Sequence, residues 1–317
     1  MAISESLRLA RLTPAVGRLR MVLDSDTYNE IDDQFALVQV LLSPERLNLE
    51  AIYAAPFHNE RSDSPGHGME LSYHEILRVL DRMGVSDTGL VYRGVTEFLG
   101  IAKKAKKSES VNDLIDRAKT GDSNHPLYVL AIGALSNVAS AILQAPDIVD
   151  RIVIVWMGGN GPDWPRHFDQ AGDFNLKQDI GAAQIVLDSG VPLVFIAAMP
   201  VASNLHCSVP EIERYVEPQG SIGAFLAMRF KDYSNNHIGW SKCIWDMAPV
   251  GWMLNSDWAP SSLIPTPVIS DEMEWNMQAN RHIMRYVGYV DRDPIMRDFF
   301  TKLVAFTSSK WDSAAGV

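Results

Sequence analysis

VLDSDTYNEIDDQFALVQVLLSPE occupies residues 22–45, where an apolar run meets an acidic loop and then a helix-like pattern. Four aspartates fall within ten residues of this stretch: Asp24, Asp26, Asp32 and Asp33. Carboxylates held this close repel one another, and a folded protein sustains the repulsion mainly where a cation or a proton offsets it. Helix N-capping would account for one or two of the acids but not for four. The stretch therefore predicts a metal site.

The composition is that of a globular, enzyme-sized chain of 317 residues with 47% apolar residues and a net charge of −11. A chain of this length can bury a sizeable core in one large α/β domain or in two smaller ones. We expect an N-terminal arm at residues 1–18 and a single domain at 19–317, because no Gly/Ser linker or low-complexity segment interrupts the pattern. Arginines interrupt the apolar residues of the arm, which argues against a secretory signal.

The charge pattern also limits the partners that we expect. The basic run KKAKKSE at residues 103–109 has no interleaved aromatic residue, so we interpret it as a solvated helix face and expect no nucleic-acid partner. We expect no membrane partner, because no apolar run reaches about 18 residues. Cys207 and Cys243 are too few for a disulfide framework and fit reduced thiols, which favours a cytoplasmic location.

Strand-like apolar runs alternate with helical patterns along the chain. The predicted strands are 19–24, 47–55, 89–94, 127–133, 152–159 and 191–198, and the predicted helices between them are 33–42, 69–83, 135–144 and 179–187. This alternation predicts an α/β fold with an open, mostly parallel, mixed sheet and helices on both faces. From about residue 209 the pattern is helix-rich, which predicts a helical C-terminal cap that closes with a strand at 285–290 and a helix at 294–306.

Polar clusters follow four of the predicted strands. They lie at residues 24–33, 57–59, 132–137 and 157–160. In open parallel sheets the ligands bind beyond the carboxyl ends of the strands, so one pocket can collect all four clusters.

Five further blocks accompany the acidic loop, and in this order they resemble the inosine-uridine preferring nucleoside hydrolases. The acidic block resembles the family pattern D-x-D-x-x-x-D-D, although five residues separate Asp26 from Asp32 here instead of three. The other blocks are Asn59, AIGALSNVASAI at 131–142, WMGGN at 156–160, DFN at 173–175 and WD at 245–246. Asp173 stands where the family has Glu, and Ile132 stands where it often has Thr.

The resemblance implies a nucleoside hydrolase-like fold and an enzyme that cleaves the N-glycosidic bond of ribonucleosides with Ca²⁺. It implies that Asp26 is the general base and that Trp245 stacks on the leaving base, as in the purine-preferring branch. The implied metal ligands are Asp26, Asp33, Asp246 and the backbone carbonyl of Ile132. The implied nucleoside contacts are Asp32, Asn59, Met157, His167, Asp173 and Asn175. Relatives commonly form dimers or tetramers, so we expect a homo-oligomer.

Elementary chemistry agrees with this assignment and leaves alternatives open. Ca²⁺ takes six to eight oxygen ligands, a carboxylate beside it can accept a proton from water, and carboxylates stabilise the positive charge that develops on the sugar. However, VLDSDT also fits a phosphatase of the haloacid dehalogenase type, with Asp24 as nucleophile and Mg²⁺ as cofactor. A non-catalytic nucleoside-binding relative is a third possibility. A core tryptophan is the alternative role for Trp245, and a structural acid is the alternative role for Asp24.

Overall fold

The computed structural model describes residues 3–121, 125–163 and 172–315, with side chains as far as residue 308. The strands are β1 (Leu19–Ser25), β2 (Leu47–Ala54), β3 (Val91–Arg93), β4 (Leu127–Ala131), β5 (Ile152–Met157), β6 (Leu193–Ile196), β7 (His206–Ser208), β8 (Ser241–Cys243), β9 (Ser261–Pro265), β10 (Val268–Ile269), β11 (Trp275–Asn276) and β12 (Ile283–Val287). The helices are α1 (Glu5–Leu12), α2 (Asp32–Leu41), α3 (Pro65–Met83), α4 (Glu109–Thr120), α5 (Ser136–Gln144), α6 (Phe174–Gln178), α7 (Ile180–Asp188), α8 (Val209–Glu211), α9 (Gly220–Lys231), α10 (Met247–Leu254) and α11 (Arg292–Ala315).

Eight of the described strands form one open sheet with the order β3-β2-β1-β4-β5-β6-β12-β9. Every neighbouring pair is parallel except β12 and β9, which are antiparallel. The predicted mixed, mostly parallel α/β sheet is therefore confirmed. Two short antiparallel pairs, β7 with β8 and β10 with β11, lie outside the sheet.

The central strands are apolar because helices cover the sheet. Every residue of β4 and β5 is buried, and β1 is buried from Met21 onward. Parallel strands enclosed in this way consist of nearly continuous runs of Val, Ile and Leu. Those runs made the strands predictable from the sequence.

Local capping sets the start of two helices whose predicted positions need correction. Ser64 accepts a hydrogen bond from the backbone N–H of His67, so α3 begins at Pro65, four residues before its predicted start. Ser108 accepts from the backbone N–H of Val111 and starts α4 at Glu109. The interpretation of residues 103–109 as a helix face is therefore wrong, since the lysines precede this cap.

The predicted N-terminal arm contains α1, which packs against β12 at the far side of the sheet from β3. Arg8 Nε donates to the carbonyl of Gly190 at 3.1 Å, and Arg285 Nε donates to the carbonyl of Leu12. At the other end, the strand predicted at 285–290 forms as β12, and α11 begins two residues before its predicted start at 294. No helix in the described ranges has the length and apolarity needed to cross a membrane.

Candidate active site

A cavity of about 290 Å³ opens where β1, β4, β5 and β6 end, which is the edge of the sheet that the sequence predicted. Its described lining consists of Asp26, Asn29, Glu30, Asp32, Asp33, Ile132, Met157, Asn160, Gly172, Asp173, Phe174, Asn175, Ala198, Met199, Trp245 and Asp246. Six of these residues are acidic, and no Lys, Arg or His is among them. The cavity therefore favours cations and partial positive charge.

Three carboxylates converge at one wall of the cavity. Asp32 and Asp33 form the first turn of α2, and Asp246 immediately precedes α10. One oxygen from each lies within 4.8 Å of the others, and all three side chains are buried. Among the described residues, only this group of acidic, His or Cys side chains has the spacing of a metal site.

Burial and mutual repulsion raise the pKa of each carboxyl group in this wall. Burial is the main cause for Asp33, whose pKa rises to about 7 although Ser25 Oγ donates to its Oδ1 at 2.6 Å. The pKa values of Asp32 and Asp246 rise well above their usual range, through burial first and then through the charges of Glu30 and Asp32 respectively. The wall must therefore hold protons or a cation at neutral pH.

Asp26 lies beside this group, directly after β1. It is 1% exposed, and neither of its carboxylate oxygens has a hydrogen-bond partner among the described residues. Burial raises its pKa well above the usual range, and the charges of Asp33 and Asp32 add to the effect. A Cβ atom at Gly133 would stand 3.2 Å from the carboxylate, so the glycine lets the loop after β4 approach it. A buried carboxylate without partners has a large unmet demand for a proton or a cation.

The geometry differs from the predicted ligand set in one respect. The sequence assigned Asp26, Asp33 and Asp246 to the metal and Asp32 to the substrate, whereas Asp32 is the residue that joins Asp33 and Asp246 within 4.8 Å. Asp32 and Asp26 both line the cavity, so either can face a cation there. The division of roles between them stays a prediction.

Asn175 joins the ends of β4 and β5 at the cavity. Its Nδ2 donates to the carbonyl oxygens of Ile132 and Met157, each at 3.0 Å. A carbonyl oxygen has two lone pairs, so Ile132 keeps one acceptor site toward the cavity in addition to this bond. Ile132, Met157 and Asn175 all line the cavity, and the metal and nucleoside contacts assigned to them stay predictions.

Asp173 combines a structural task with a position on the cavity wall. Its Oδ1 accepts from the backbone N–H of Leu176 at 2.8 Å and caps α6, while its Oδ2 accepts from the backbone N–H of Gly159. Burial raises its pKa to about 6, although these hydrogen bonds oppose the rise. Both oxygens keep lone pairs for a further donor.

The two glycines of WMGGN are required by this arrangement. A Cβ at Gly158 would lie 2.5 Å from the indole ring of Trp156. Gly159 has a φ of +73°, which glycine adopts without strain, and its N–H then points at Asp173. The motif thus connects the end of β5 to Asp173, the residue that caps α6.

Trp245 and Asn59 have different relations to the cavity. Trp245 is half-buried and lines the cavity next to Asp246. Asn59 is not among the lining residues. Its Nδ2 donates at 2.7 Å to Oδ1 of Asn29, and Asn29 does line the cavity. His167, also predicted to contact the substrate, lies outside the described residues.

Asp24 is buried and does not line the cavity. Its Oδ1 accepts from Asn137 Nδ2 at 2.7 Å, and Asn137 Oδ1 accepts from the backbone N–H of Val95. Asp24 thus links β1 to α5 and, through Asn137, to the loop after β3. This is the structural role that the sequence left open for Asp24, and it gives no access for the nucleophilic attack of a phosphatase.

Sequence reasoning assigned no role to seven residues of the lining: Asn29, Glu30, Asn160, Gly172, Phe174, Ala198 and Met199. Asn29 and Glu30 belong to the longer loop between Asp26 and Asp32, and that extra length was the available signal. Glu30 forms an ion pair with Lys242 of β8 at 2.5 Å, which connects the loop to the segment that carries Trp245.

The profile of a known family matches residues 21–291, which include every described residue of this lining. The chain belongs to the inosine-uridine preferring nucleoside hydrolase family. Among curated proteins it is similar to the pyrimidine-specific ribonucleoside hydrolase RihB of Escherichia coli O1:K1 / APEC, with 28% identity over 165 residues, or 50% of this chain and 51% of that protein. The alignments span 40% to 66% of the length of the first curated relatives.

Solved structures of nucleoside hydrolases share the fold. The purine-preferring ribonucleoside hydrolase from Gardnerella vaginalis superposes with a TM-score of 0.69 and 19% identity, over 91% of this chain and 99% of that one. The inosine-uridine preferring nucleoside hydrolase from Bacillus anthracis superposes with a TM-score of 0.66 and 18% identity over the same shares. The predicted nucleoside hydrolase-like fold is confirmed.

Proposed function

We propose that this protein hydrolyses the N-glycosidic bond of ribonucleosides in a metal-dependent reaction that gives free base and ribose. The observation that carries the proposal is the Asp26 carboxylate, which is buried without a hydrogen-bond partner among the described residues and adjoins three convergent carboxylates in a cavity. Membership of the nucleoside hydrolase family supports this reading over a phosphatase.

The residues at the acidic wall fit a hard divalent cation, and we assign Ca²⁺. Every candidate ligand is an oxygen: the carboxylates of Asp26, Asp33 and Asp246, with Asp32 in reach, and the carbonyl of Ile132. Oδ1 of Asp246 has no hydrogen-bond partner in the described chain, as is true of both oxygens of Asp26. All-oxygen sets of this kind suit Ca²⁺ better than Zn²⁺, which prefers nitrogen and sulfur. When bound, the cation would lower the pKa of a nearby water molecule and orient it.

Asp26 is the residue that we assign as general base. Its unpartnered oxygens can accept the proton of the attacking water, and the glycine at position 133 leaves room beside them. Ionised, this carboxylate also faces the positive charge that develops on the ribose ring as the bond to the base breaks.

The remaining polar groups of the cavity are assigned to the sugar. Asp32, Asp173 and Asn175 line the same cavity as Asp26 and can accept hydrogen bonds from ribose hydroxyls. Holding the ring at several hydroxyls fixes the anomeric carbon against the attacking water. Met157 supplies apolar surface next to these groups.

Trp245 is assigned to the leaving base. Its half-buried indole borders the cavity beside Asp246, so a flat base can stack on it. Two rings overlap the indole more than one, which favours purine nucleosides. The names of the relatives cover both preferences, pyrimidine for RihB and purine for the Gardnerella enzyme. A cytoplasmic location and a dimer or tetramer stay predictions.

Turnover on inosine, adenosine, guanosine, uridine and cytidine tests the proposal, with released base and free ribose both measured. We expect activity that disappears on chelation and returns with Ca²⁺. Nucleoside binding without release of base would mark a non-catalytic relative. Release of phosphate from p-nitrophenyl phosphate without nucleoside turnover would favour the alternative function, a phosphatase of the haloacid dehalogenase type.

A further inference from the structure

The loop between Asp26 and Asp32 brings a side chain to the cavity that the family pattern does not assign. Asn29 is 8% exposed and lines the cavity. Its backbone N–H donates to the carbonyl of Asp26 at 2.7 Å, which closes a turn directly after the proposed general base. Asn29 is therefore fixed three residues from Asp26 and three residues from Asp32.

Asn59 holds the side chain of Asn29 from behind. Asn59 Nδ2 donates to Asn29 Oδ1 at 2.7 Å, and Asn59 Oδ1 accepts from the backbone N–H of Arg61 at 2.9 Å. The amide of Asn59 is therefore engaged on both sides by protein groups. Asn29 Oδ1 accepts this bond, and its Nδ2, which has no acceptor among the hydrogen bonds of the described residues, remains available as a donor.

We propose that Asn29 donates a hydrogen bond to a secondary hydroxyl of the substrate ribose, and that Asn59 is a positioning residue that orients the Asn29 amide. This inference rests on the proposed function and names a further specificity determinant of that site. The resemblance predicts a direct contact from Asn59, but in this chain the longer loop places Asn29 between Asn59 and the cavity.

The sugar, and not the base, is the part of the substrate that Asn29 reaches. Asn29 lies three residues after Asp26 and three residues before Asp32, the two carboxylates assigned to the anomeric centre and the ribose hydroxyls, and all three line the cavity. The base is assigned to Trp245, which a different segment carries. Because a hydroxyl both donates and accepts, Asp32 and Asn29 can hold neighbouring hydroxyls from two sides.

A kinetic experiment on inosine, 2′-deoxyinosine and 3′-deoxyinosine tests this inference. For Asn29→Ala we expect a loss of about three- to tenfold in kcat/KM on inosine, the usual effect of one neutral hydrogen bond. On the deoxynucleoside that lacks the contacted hydroxyl, Asn29→Ala should lose nothing. Equal losses on all three substrates would overturn the inference.

A double-mutant cycle separates the relay through Asn29 from a direct contact by Asn59. If Asn59 acts through Asn29, Asn59→Ala lowers kcat/KM in the wild type and has no further effect in the Asn29→Ala background. Additive losses would show that Asn59 contacts the substrate itself and would overturn the relay. Asn112→Ala, an exposed asparagine on α4, is the matched control and should change no ratio.

Folding of the variants is checked by thermal melting with Ca²⁺. If Asn29→Ala does not fold, Asn29→Ser replaces it, because serine suits turns and its side chain is too short to reach the sugar. A wild type that releases no base from any nucleoside overturns the proposed function together with this inference. An active wild type with unchanged ribose discrimination in Asn29→Ala overturns this inference alone.

Discussion

At Asp26 the chain holds a carboxylate whose two oxygens are buried and lack hydrogen-bond partners in the described residues. Such a group is costly to keep in a folded protein unless a ligand satisfies it. Asp26 could be predicted as a site residue from the sequence, because four aspartates fall within ten residues there. The same reasoning missed Asn29, since a single asparagine in a loop is normally a turn residue and only the folded loop shows where it points.

The Asp26→Asn substitution tests the assignment of Asp26 as the general base. The amide is nearly isosteric but accepts a proton poorly, so we expect kcat to fall about 10²- to 10⁴-fold while KM changes little. The Ca²⁺-induced rise in melting temperature should persist, because Asp32, Asp33 and Asp246 remain. Asp116→Asn, on the exposed side of α4, is the control. Loss of the melting shift in Asp26→Asn would make Asp26 chiefly a metal ligand.

Trp245→Ala tests the leaving-base assignment. Aromatic stacking contributes about 0.5 to 1.5 kcal/mol beyond area burial, so kcat/KM on inosine should fall roughly two- to tenfold more than on uridine. Trp258→Ala removes a half-buried indole outside the cavity lining and should lower stability without changing the ratio. A wild type that prefers uridine, or proportional losses in Trp245→Ala, would place Trp245 in a packing role.

Among the elements, the buried parallel strands were the most predictable because burial on both faces leaves a continuous apolar run. Strand β9 escaped prediction since its half-exposed residues and Pro265 carry no such signal, and only pairing with β12 makes it a strand. The turn after β5 was found as a motif, but part of its reason is tertiary: the backbone N–H of Gly159 donates to Oδ2 of Asp173 in a later segment. Contacts of that kind cannot be read from spacing.

Gly158→Ala tests that turn. The added Cβ would lie 2.5 Å from the Trp156 ring, so ring or backbone must shift, and overpacking of this kind costs about 1 to 3 kcal/mol. We expect a lower melting temperature and reduced turnover, because the Gly159 contact to Asp173 moves too. Gly288→Ala, whose Cβ would meet nothing within 4 Å, should be nearly neutral. Equal stability of the two variants would contradict this account.

For the whole molecule, the acidic cavity makes stability depend on a cation. A ligand at a hundred times its Kd stabilises the folded state by about 2.7 kcal/mol, which corresponds to a rise of roughly 4 °C in Tm for a chain of this size. We expect this rise with Ca²⁺ after treatment with a chelator. Measurement by calorimetry with Mg²⁺ and Zn²⁺ in parallel identifies the ion; a rise with Zn²⁺ alone would refute the assignment.

The same carboxylates give the metal-free protein a distinctive pH profile. The pKa of Asp33 is raised to about 7 in the folded protein, and those of Asp26, Asp32 and Asp246 also rise. A raised carboxyl pKa contributes stability that is fully present below about pH 4 and is lost as the pH rises through the folded value. The chelated protein should therefore lose Tm between about pH 4 and 7 relative to Asp33→Asn, and Ca²⁺ should flatten the loss. If Tm falls equally with pH in the chelated wild type and in Asp33→Asn, the loss does not come from ionisation of Asp33.

The acidic wall is assembled from the two ends of the chain, with Asp33 near the beginning and Asp246 more than 200 residues later. A ribosome adds about 5 to 20 residues per second, so Asp246 is synthesised roughly 10 to 45 s after Asp33. By the end of that interval the nascent chain contains β1 to β8 but still lacks one carboxylate of the cluster. The cation site is therefore completed only late in translation, and until then the acidic loop of the emerging chain lacks one of the carboxylates that would share its cation.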